Sequence, residues 1–391
     1  MAFWLAKHFI KDYKNTNDPK VRQSYGFFSS IVGIIINIIL FAGKTFAGII
    51  TGSISVIADA INNLSDAGSS VVTMIGFKIS STPADDEHPF GHGRAEYIAG
   101  LIISFIIILM GFELGKGSFE KIFSTEAITP NILSVVILGC SILFKLWLCY
   151  FNTSLGKKIN SVSMKATAMD SLSDVASTSA VIIGIVVYLL TGVNIDAYIG
   201  LAVALFIIYT GIKTAKESLS PLIGQMPDEE QTKEIADTVC SYENIIGVHD
   251  MIIHNYGVGV DMVSLHVEVP ANMDFSEAHE LIDLIESDLR SKYNCHATIH
   301  MDPVVTDDEE INMLKEKLTE ILRNIDSSIT MHDFRKTNGV HQSNLIFDIV
   351  LPFKFRLTEA EIKAEIAEEI RKIDEKYNTV ICIDRKMNKL D

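Results

Sequence analysis

Long apolar stretches recur through the first half of the chain, and they limit its fold more than any other feature. Between Gly26 and Leu219, six such stretches are each long enough for a helix that crosses a bilayer, which needs about 20 mostly apolar residues. They lie near residues 26–50, 53–79, 95–122, 130–152, 164–190 and 195–219. The sequence therefore predicts an α-helical membrane protein with six transmembrane helices.

Basic residues near the ends of these stretches predict how the protein lies in the membrane. Lysines and arginines precede the first stretch, follow the fourth and end the sixth, whereas the short loop at 192–194 has none. Because cytoplasmic loops are enriched in Lys and Arg, both termini are expected in the cytoplasm of a multi-pass cell-membrane protein. The five cysteines are expected to be reduced, since their number is odd and none form a CxxC pair.

From Pro227 onwards the sequence is typical of a soluble α+β protein, and it contains an internal repeat. SEAHELIDLIE at 276–286 resembles TEAEIKAEIAE at 358–368, and a strand-like segment follows each at the same distance. Each unit is predicted to run helix, strand, strand, helix, strand, as a ferredoxin-like domain that has been duplicated. The predicted division is a cytoplasmic segment, a membrane domain and two α+β units, at 1–25, 26–220, 226–304 and 306–391.

Charge and motif content exclude several classes of function. The formal net charge is −16 and most of the acid lies in the second half, so nucleic acid is not an expected partner, because its phosphates need a basic surface. A nucleophile elbow, a P-loop and a dinucleotide-binding signature are all missing from the sequence. We therefore expect neither an enzyme nor a bound organic cofactor.

Carboxylates lie inside two of the predicted spans, where ionisable groups are costly and usually mark an ion pathway. The second span reads IADAINNLSDAGSS and the fifth reads KATAMDSLSDVAST. Each contains two oxygen ligands four residues apart on one helix face, namely Asn62 with Asp66 and Asp170 with Asp174. The four predict a site for one cation between the helices, with a polar packing seam as the alternative. The role of Asp59, close to the same face, is left open.

The ligand types of this predicted site favour a hard metal. All 11 histidines lie outside the six stretches, so the site offers only carboxylate and amide oxygen. Such ligands suit Mn²⁺, Mg²⁺, Ca²⁺ or Fe²⁺, whereas Zn²⁺ favours imidazole or thiolate. Manganese therefore ranks above zinc without excluding it.

Taken together, these motifs resemble the cation diffusion facilitator family of metal–proton antiporters, over about residues 20–303. SVIADAINNLSDAGSS is similar to the family's second-helix signature, PADDEHPFGHGRAEYIA to its first cytoplasmic loop, and DSLSDVAST to its fifth-helix motif. Asn with Asp in the second helix and two Asp in the fifth resemble the manganese-type members. The resemblance implies a homodimer joined through its cytoplasmic domains, with alternating access that exports Mn²⁺ against protons.

The resemblance and the repeat imply three further sets of metal ligands. A peripheral site in the first cytoplasmic loop would use Asp85, His88 and His92. A regulatory divalent metal in the first α+β unit would be held by His249, His266, His279, His300 and Asp302. Equivalent positions in the second unit are His332, Asp348, Glu361, Cys382 and Asp384. That last set is either a second metal site or a degenerate structural repeat.

Two alternative functions stay open at this level. A zinc or iron(II) exporter of the same family would share nearly all of these motifs. A membrane-anchored metal sensor would use the soluble domain as its output, but carboxylates within membrane spans argue against it, because a sensor needs no ion pathway.

Overall fold

The computed structural model describes residues 2–16, 18–51, 54–123, 132–191, 195–257, 260–337 and 343–386. Contacts divide the chain into two compact units. The first is Met1–Gln225 with Tyr256–Gly259, and the second is Met226–Asn255 with Val260–Asp391. The loop at 192–194 and the side chain of Asp59 lie outside the described part, so the expectations placed on them stay predictions.

Helices make up the first unit. They are α1 (Ala2–Phe9), α2 (Pro19–Thr51), α3 (Ile54–Ser80), α4 (Ala95–Phe123), α5 (Ile132–Lys158), α6 (Val162–Thr191) and α7 (Asp196–Ile223). Within the described residues, five segments are long and apolar enough to cross a membrane: Lys20–Phe46, Ala95–Phe123, Val135–Lys158, Val162–Thr191 and Ala197–Ile223. The remaining long helix, α3, has Asn62, Asn63 and Asp66 near its middle, which makes it more polar than the others. A sixth span therefore stays a prediction.

The surface of the helical unit is apolar in the way a lipid-facing surface must be. Large side chains such as Ile39, Leu109 and Leu205 are more than half exposed, and a soluble protein rarely exposes so many. The interior contains a buried ion pair, in which Arg22 of α2 donates to Glu96 of α4 at 3.0 Å. Pairing of these charges offsets part of their desolvation cost, and it links the start of α2 to the start of α4.

The second unit contains two three-stranded sheets with the same element order. The first half is α8 (Glu229–Cys240), β1 (Gly247–Asn255), β2 (Asp261–Pro270), α9 (Phe275–Tyr293) and β3 (Cys295–Val304). The other half is α10 (Glu309–Ile325), β4 (Thr330–Thr337), β5 (Ser343–Leu351), α11 (Glu359–Arg371) and β6 (Tyr377–Arg385). In each sheet the first two strands are antiparallel and the last two are parallel. Each half thus has the predicted helix, strand, strand, helix, strand order, whereas an origin by duplication stays a prediction.

The strand patterns explain these sheets and position the ligands. Along β2, Val263, Leu265 and Val267 alternate with more exposed residues and face a buried core, as period-two side-chain direction requires. Leu345, Phe347 and Ile349 do the same along β5. Because the apolar residues take one face, the polar residues between them are placed on the opposite face. The predicted soluble-domain ligands of the strands lie among these.

Candidate metal centre

A buried group of charges joins three helices of the first unit. The Nζ atom of Lys145, on α5, lies 2.6 Å from Oδ2 of Asp66 on α3 and 2.6 Å from Oδ2 of Asp174 on α6. Lys145 and Asp66 are each 3% exposed, and Asp174 is 13% exposed. Asp170, one turn earlier on α6, is also 3% exposed. Three predicted carboxylates therefore lie in the interior of the unit, and Lys145 bridges two of them.

The charges in this group do not balance. When all are ionised, three carboxylates and one ammonium leave two negative charges in excess. The Oδ1 atoms of Asp66 and Asp170 are buried and have no hydrogen-bond partner among the described residues. Buried polar atoms are normally satisfied, so the group has both the charge and the free oxygen atoms to accept a divalent cation.

Asn62 is not placed with these carboxylates. Its side chain is exposed, whereas the next residue, Asn63, is only 2% exposed. At about 100° of rotation per residue, side chains four residues apart differ in direction by about 40°, so Asp66 points into the helical unit while Asn62 lies beyond the edge of the buried face. The role of Asn62 as a ligand stays a prediction.

Lys145 is the functional residue that sequence reasoning missed. It stands alone in the apolar run SILFKLW of the fourth predicted span. An isolated ionisable residue in a membrane span is itself a signal of function. A protonated lysine has no lone pair with which to ligate a metal, so ligand chemistry alone does not predict its presence in the site.

The three predicted residues of the loop between α3 and α4 lie together. One Asp85 oxygen is 3.5 Å from Nδ1 of His88, and the other is 3.5 Å from Nε2 of His92. The backbone N–H of His88 donates to Asp85 at 2.7 Å and holds the pKa of that carboxyl below its usual value. The loop is half exposed and its carboxylate is already hydrogen-bonded, so it is a candidate for weak binding only.

Four of the five ligands predicted in the first α+β half converge. His249, His266 and His300 occupy one row across β1, β2 and β3. A carboxylate two residues further along β3 joins them, because Asp302 Oδ2 lies 2.8 Å from His266 Nδ1 and 3.5 Å from His249 Nε2. The fifth, His279, lies apart on α9, where it is 60% exposed beside Asp283.

The second half repeats this row with other residue types. His332 pairs with Asp348 on β5, and Asp348 pairs with Cys382 on β6. Ligand atoms of Asp348, Cys382 and Asp384 lie within 4.8 Å of one another. Burial raises the pKa of both carboxyls and of the thiol, and each is raised further by its acidic neighbours.

Glu361, predicted as a ligand of this second set, has a structural role instead. Its carboxylate accepts from the backbone N–H of Thr358 at 2.8 Å, and the Thr358 hydroxyl in turn accepts from the Glu361 N–H. This is a capping box at the start of α11. The pattern T-x-x-E at 358–361 was present in the sequence, and it would have predicted that role.

The two halves place their first histidines side by side. The rings of His249 and His332 stack with centroids 4.3 Å apart. Burial lowers the pKa of His249, but the carboxylates of Asp250 and Asp333 outweigh it and leave the pKa raised. Protons therefore compete with any metal for this ring, because only a neutral imidazole is a ligand.

Comparison with known families and proteins gives consistent matches. The family model for the cation efflux transmembrane domain matches residues 30–223, and the model for the cation efflux protein cytoplasmic domain matches residues 227–304. An uncharacterised transporter of Methanocaldococcus jannaschii is 33% identical over 275 residues, which are 70% of this chain and 97% of that protein.

Two further relatives have more specific names. The manganese efflux system protein MneS of Bacillus subtilis is 31% identical over 282 residues, which are 71% of this chain and 96% of that protein. The cation-efflux pump FieF of Escherichia coli is 26% identical over 287 residues, which are 72% of this chain and 95% of that protein.

Proposed function

Because the chain belongs to the cation efflux family and is a multi-pass membrane transporter rather than an enzyme, we propose that it exports Mn²⁺ from the cytoplasm in exchange for protons. The observation that carries this is a group of three carboxylates in the interior of the helical unit, the buried Asp66 and Asp170 and the largely buried Asp174. Helices α2 to α7 contain no histidine. The oxygen-only ligand set favours Mn²⁺ or Fe²⁺ over Zn²⁺. The name of the Bacillus subtilis relative, a manganese efflux protein, supports the same ion.

The carboxylates account for coupling to protons. When they are ionised, they bind the cation from the cytoplasmic side; when protons enter from the other side, affinity falls and the metal is released. Lys145 has a part in this cycle. In the metal-free protein its ammonium occupies the carboxylates, and an entering divalent ion must displace it from Asp66 and Asp174.

The rest of the proposal concerns the assembly in the membrane. Helix α3 is the sixth span, with Asn63 and Asp66 facing the other helices rather than lipid. Both termini lie in the cytoplasm, and two copies form a homodimer through the cytoplasmic domain, as the match to residues 227–304 suggests. The protein's partners are membrane lipid, metal ions and protons.

The test is flux through the purified protein in sealed liposomes. With a pH gradient and radioactive Mn²⁺, we expect Mn²⁺ transport that collapses when the gradient is dissipated. Excess Zn²⁺ and Fe²⁺ should each inhibit this transport less than excess unlabelled Mn²⁺ does. Asp174→Ala should abolish flux, whereas Glu120→Ala should not, because Glu120 is an exposed acid 3.9 Å from Lys116 on α4. Stronger competition by Zn²⁺ or Fe²⁺ would favour the alternative exporters. Absence of flux for every ion would favour the sensor.

A further inference from the structure

Each α+β half contributes a histidine and the aspartate after it at the same point in its fold. His249 and Asp250 lie where the β1–β2 register is interrupted, and His332 and Asp333 lie at the equivalent interruption of β4–β5. Both aspartates have left-handed backbones, with φ of 50° for Asp250 and 55° for Asp333. Asn and Asp adopt this conformation more readily than other non-glycine residues. The bulge therefore turns each aspartate out of its own strand.

These turned aspartates reach across to the other half. Oδ1 of Asp250 is 3.5 Å from Nε2 of His332, and Oδ1 of Asp333 is 3.8 Å from Nε2 of His249. Both separations exceed the usual hydrogen-bond range of about 2.7–3.2 Å. Two ligands about 2.1 Å from one tetrahedral metal ion lie about 3.4 Å apart. The separations are therefore close to those of ligands that share a metal.

The ring nitrogens of His249 and His332 make no hydrogen bond within the described residues that would offset the cost of burying them. All four, on His249 and His332, are buried without a hydrogen-bond partner in the described part of the chain. His332 as a whole is only 6% exposed. Buried polar groups are almost always hydrogen-bonded or coordinated, so these nitrogens point to a ligand that supplies the missing interactions.

We propose that a divalent transition-metal ion binds between the two halves of the cytoplasmic unit, held by His249, Asp250 and His332, whose ligand atoms all lie within 4.8 Å of one another. Two imidazoles and one carboxylate suit Zn²⁺ or Mn²⁺ better than Ca²⁺ or Mg²⁺, which prefer oxygen ligands alone. This set differs from the two predicted sets, each of which lay within one half. One of its ligands, His332, comes from beyond residue 304, where the match to the family's cytoplasmic domain ends.

The surroundings supply charge and access for such an ion. A cavity of about 300 Å³ adjoins the cluster, and Asp250, His266, His300 and Asp384 are among the residues that line it. It has room for the ion to enter with bound water. Asp384, whose Oδ2 is 3.7 Å from Nε2 of His332, adds a further carboxylate nearby.

An ion in this position would act as a cross-link within one chain. It would tie β1 to β4 without a second protomer, and binding would stabilise the docked state increasingly as the free metal concentration rises above the dissociation constant. The second half would then report the cytoplasmic metal level to the first half, which belongs to the family's cytoplasmic domain. This role is separate from transport and does not depend on which ion is exported.

The experiment counts ions bound to the full-length protein. Chelator-treated protein in detergent is dialysed against Zn²⁺, and in parallel against Mn²⁺, and bound metal is measured per chain. His332→Gln and Asp250→Asn should each lose one ion per chain or weaken one site at least tenfold. His296→Gln is the matched control, because this exposed histidine of β3 belongs to none of the predicted or proposed ligand sets, and it should bind as the parent does.

Hydrogen exchange provides an independent readout on the same samples. In the parent, Zn²⁺ should slow amide exchange in both β1 and β4, because the ion joins the two strands. In either variant, Zn²⁺ should not slow exchange in both strands together. Asp250→Asn leaves the second half unchanged, so it keeps the test decisive if His332→Gln disrupts folding there. The proposal would be overturned if both variants bound as many metal ions as tightly as the parent does, or if Zn²⁺ slowed exchange in β1 alone.

Discussion

At the scale of single residues, the central feature is Lys145, whose ammonium lies among the carboxylates of the helical unit. Lys145 lies 2.6 Å from both Asp66 and Asp174 and is almost completely buried. Without this ammonium, three carboxylates would share a low-dielectric interior, where like charges repel strongly. The ammonium therefore stabilises the empty protein, and in the proposed transport site it would compete with the exported ion for the same oxygen atoms.

Removal of this competitor has two measurable effects. We expect Lys145→Met to bind Mn²⁺ at least tenfold more tightly at pH 8, since tenfold corresponds to about 1.4 kcal/mol, and to transport it more slowly because release is hindered. Loss of one partner from a buried ion pair typically costs about 3–5 kcal/mol, so the metal-free variant should melt at a lower temperature and recover when Mn²⁺ is added. Calorimetry and thermal unfolding measure these effects.

Lys145→Arg is the control, because it keeps the positive charge and should bind Mn²⁺ more nearly as the parent does. Equal Mn²⁺ affinity in the parent and in Lys145→Met would mean that the ammonium does not compete for the site.

A second prediction at this scale concerns metal selectivity. Asp170→His places an imidazole among the buried carboxylates, and imidazole favours Zn²⁺ over Mn²⁺. The ratio of Zn²⁺ to Mn²⁺ flux should rise about tenfold, equivalent to about 1.4 kcal/mol of differential binding. Asp170→Asn, which keeps an oxygen ligand, should not shift the ratio toward zinc. If the parent already prefers Zn²⁺, the ligand-hardness argument does not apply to this protein.

At the scale of elements, α4 and α7 approach each other closely at two glycines. A Cβ atom on Gly111 of α4 would lie 3.1 Å from the backbone nitrogen of Ile208 on α7. Reciprocally, a Cβ atom on Gly211 of α7 would lie 3.2 Å from the backbone nitrogen of Ile108 on α4. Small residues at helix contacts allow this approach, and van der Waals packing then stabilises the helix pair in a lipid environment.

This packing predicts that the stability lost on a Gly→Ala substitution depends on its position along α4. Gly111→Ala forces the two backbones apart, and overpacking of this kind typically costs about 1–3 kcal/mol. Gly117→Ala, on the same helix with no atom within 4 Å of its added methyl group, is the matched control and should be neutral or slightly stabilising. Thermal unfolding of both variants in detergent tests this, and equal melting temperatures would contradict the packing.

At the scale of the whole molecule, the chain combines a helical membrane unit with a second unit that continues beyond the match to the family's cytoplasmic domain. About 70% of this chain covers 97% of the Methanocaldococcus jannaschii relative, so the remaining part has no counterpart there. The cytoplasmic family model ends at residue 304. A site that depends on the second half, such as the one proposed between the halves, would therefore be a property of this chain that the relative lacks.

The orientation of this molecule is testable with a native cysteine. Cys240 is exposed on α8, so a membrane-impermeant maleimide should label it in inverted vesicles but not in right-side-out vesicles. Burial, and the charge of Asp237, raise the pKa of the Cys240 thiol. Since the thiolate is the reactive form, labelling should accelerate as pH rises from 7 to 9.

Cys240→Ser is the control for the labelling experiment, because it removes the target thiol and leaves the other four cysteines in place. Equal labelling of the parent in right-side-out vesicles would place the second unit outside the cell and overturn the proposed orientation.

Features that depend on neighbours along the chain were determined by the sequence itself. Apolar length predicted the helices, and the spacing of Asp170 and Asp174 placed both on one helix. Strand alternation also put His300 and Asp302 on one face. These predictions succeed because helix and strand periodicities follow from local backbone geometry. The motif resemblance to the cation diffusion facilitator family was likewise confirmed by the family models.

Contacts between distant residues were decided only by the tertiary structure. Lys145 contacts Asp66 although 79 residues separate them in the sequence. Of the neighbours Asn62 and Asn63, Asn63 is the buried one. His249 stacks on His332 across two sheets, although each had been assigned to a separate site. The rotation of a helix about its axis and the docking of one sheet on another depend on the sum of many weak packing interactions, and periodicity within one segment carries no information about that sum.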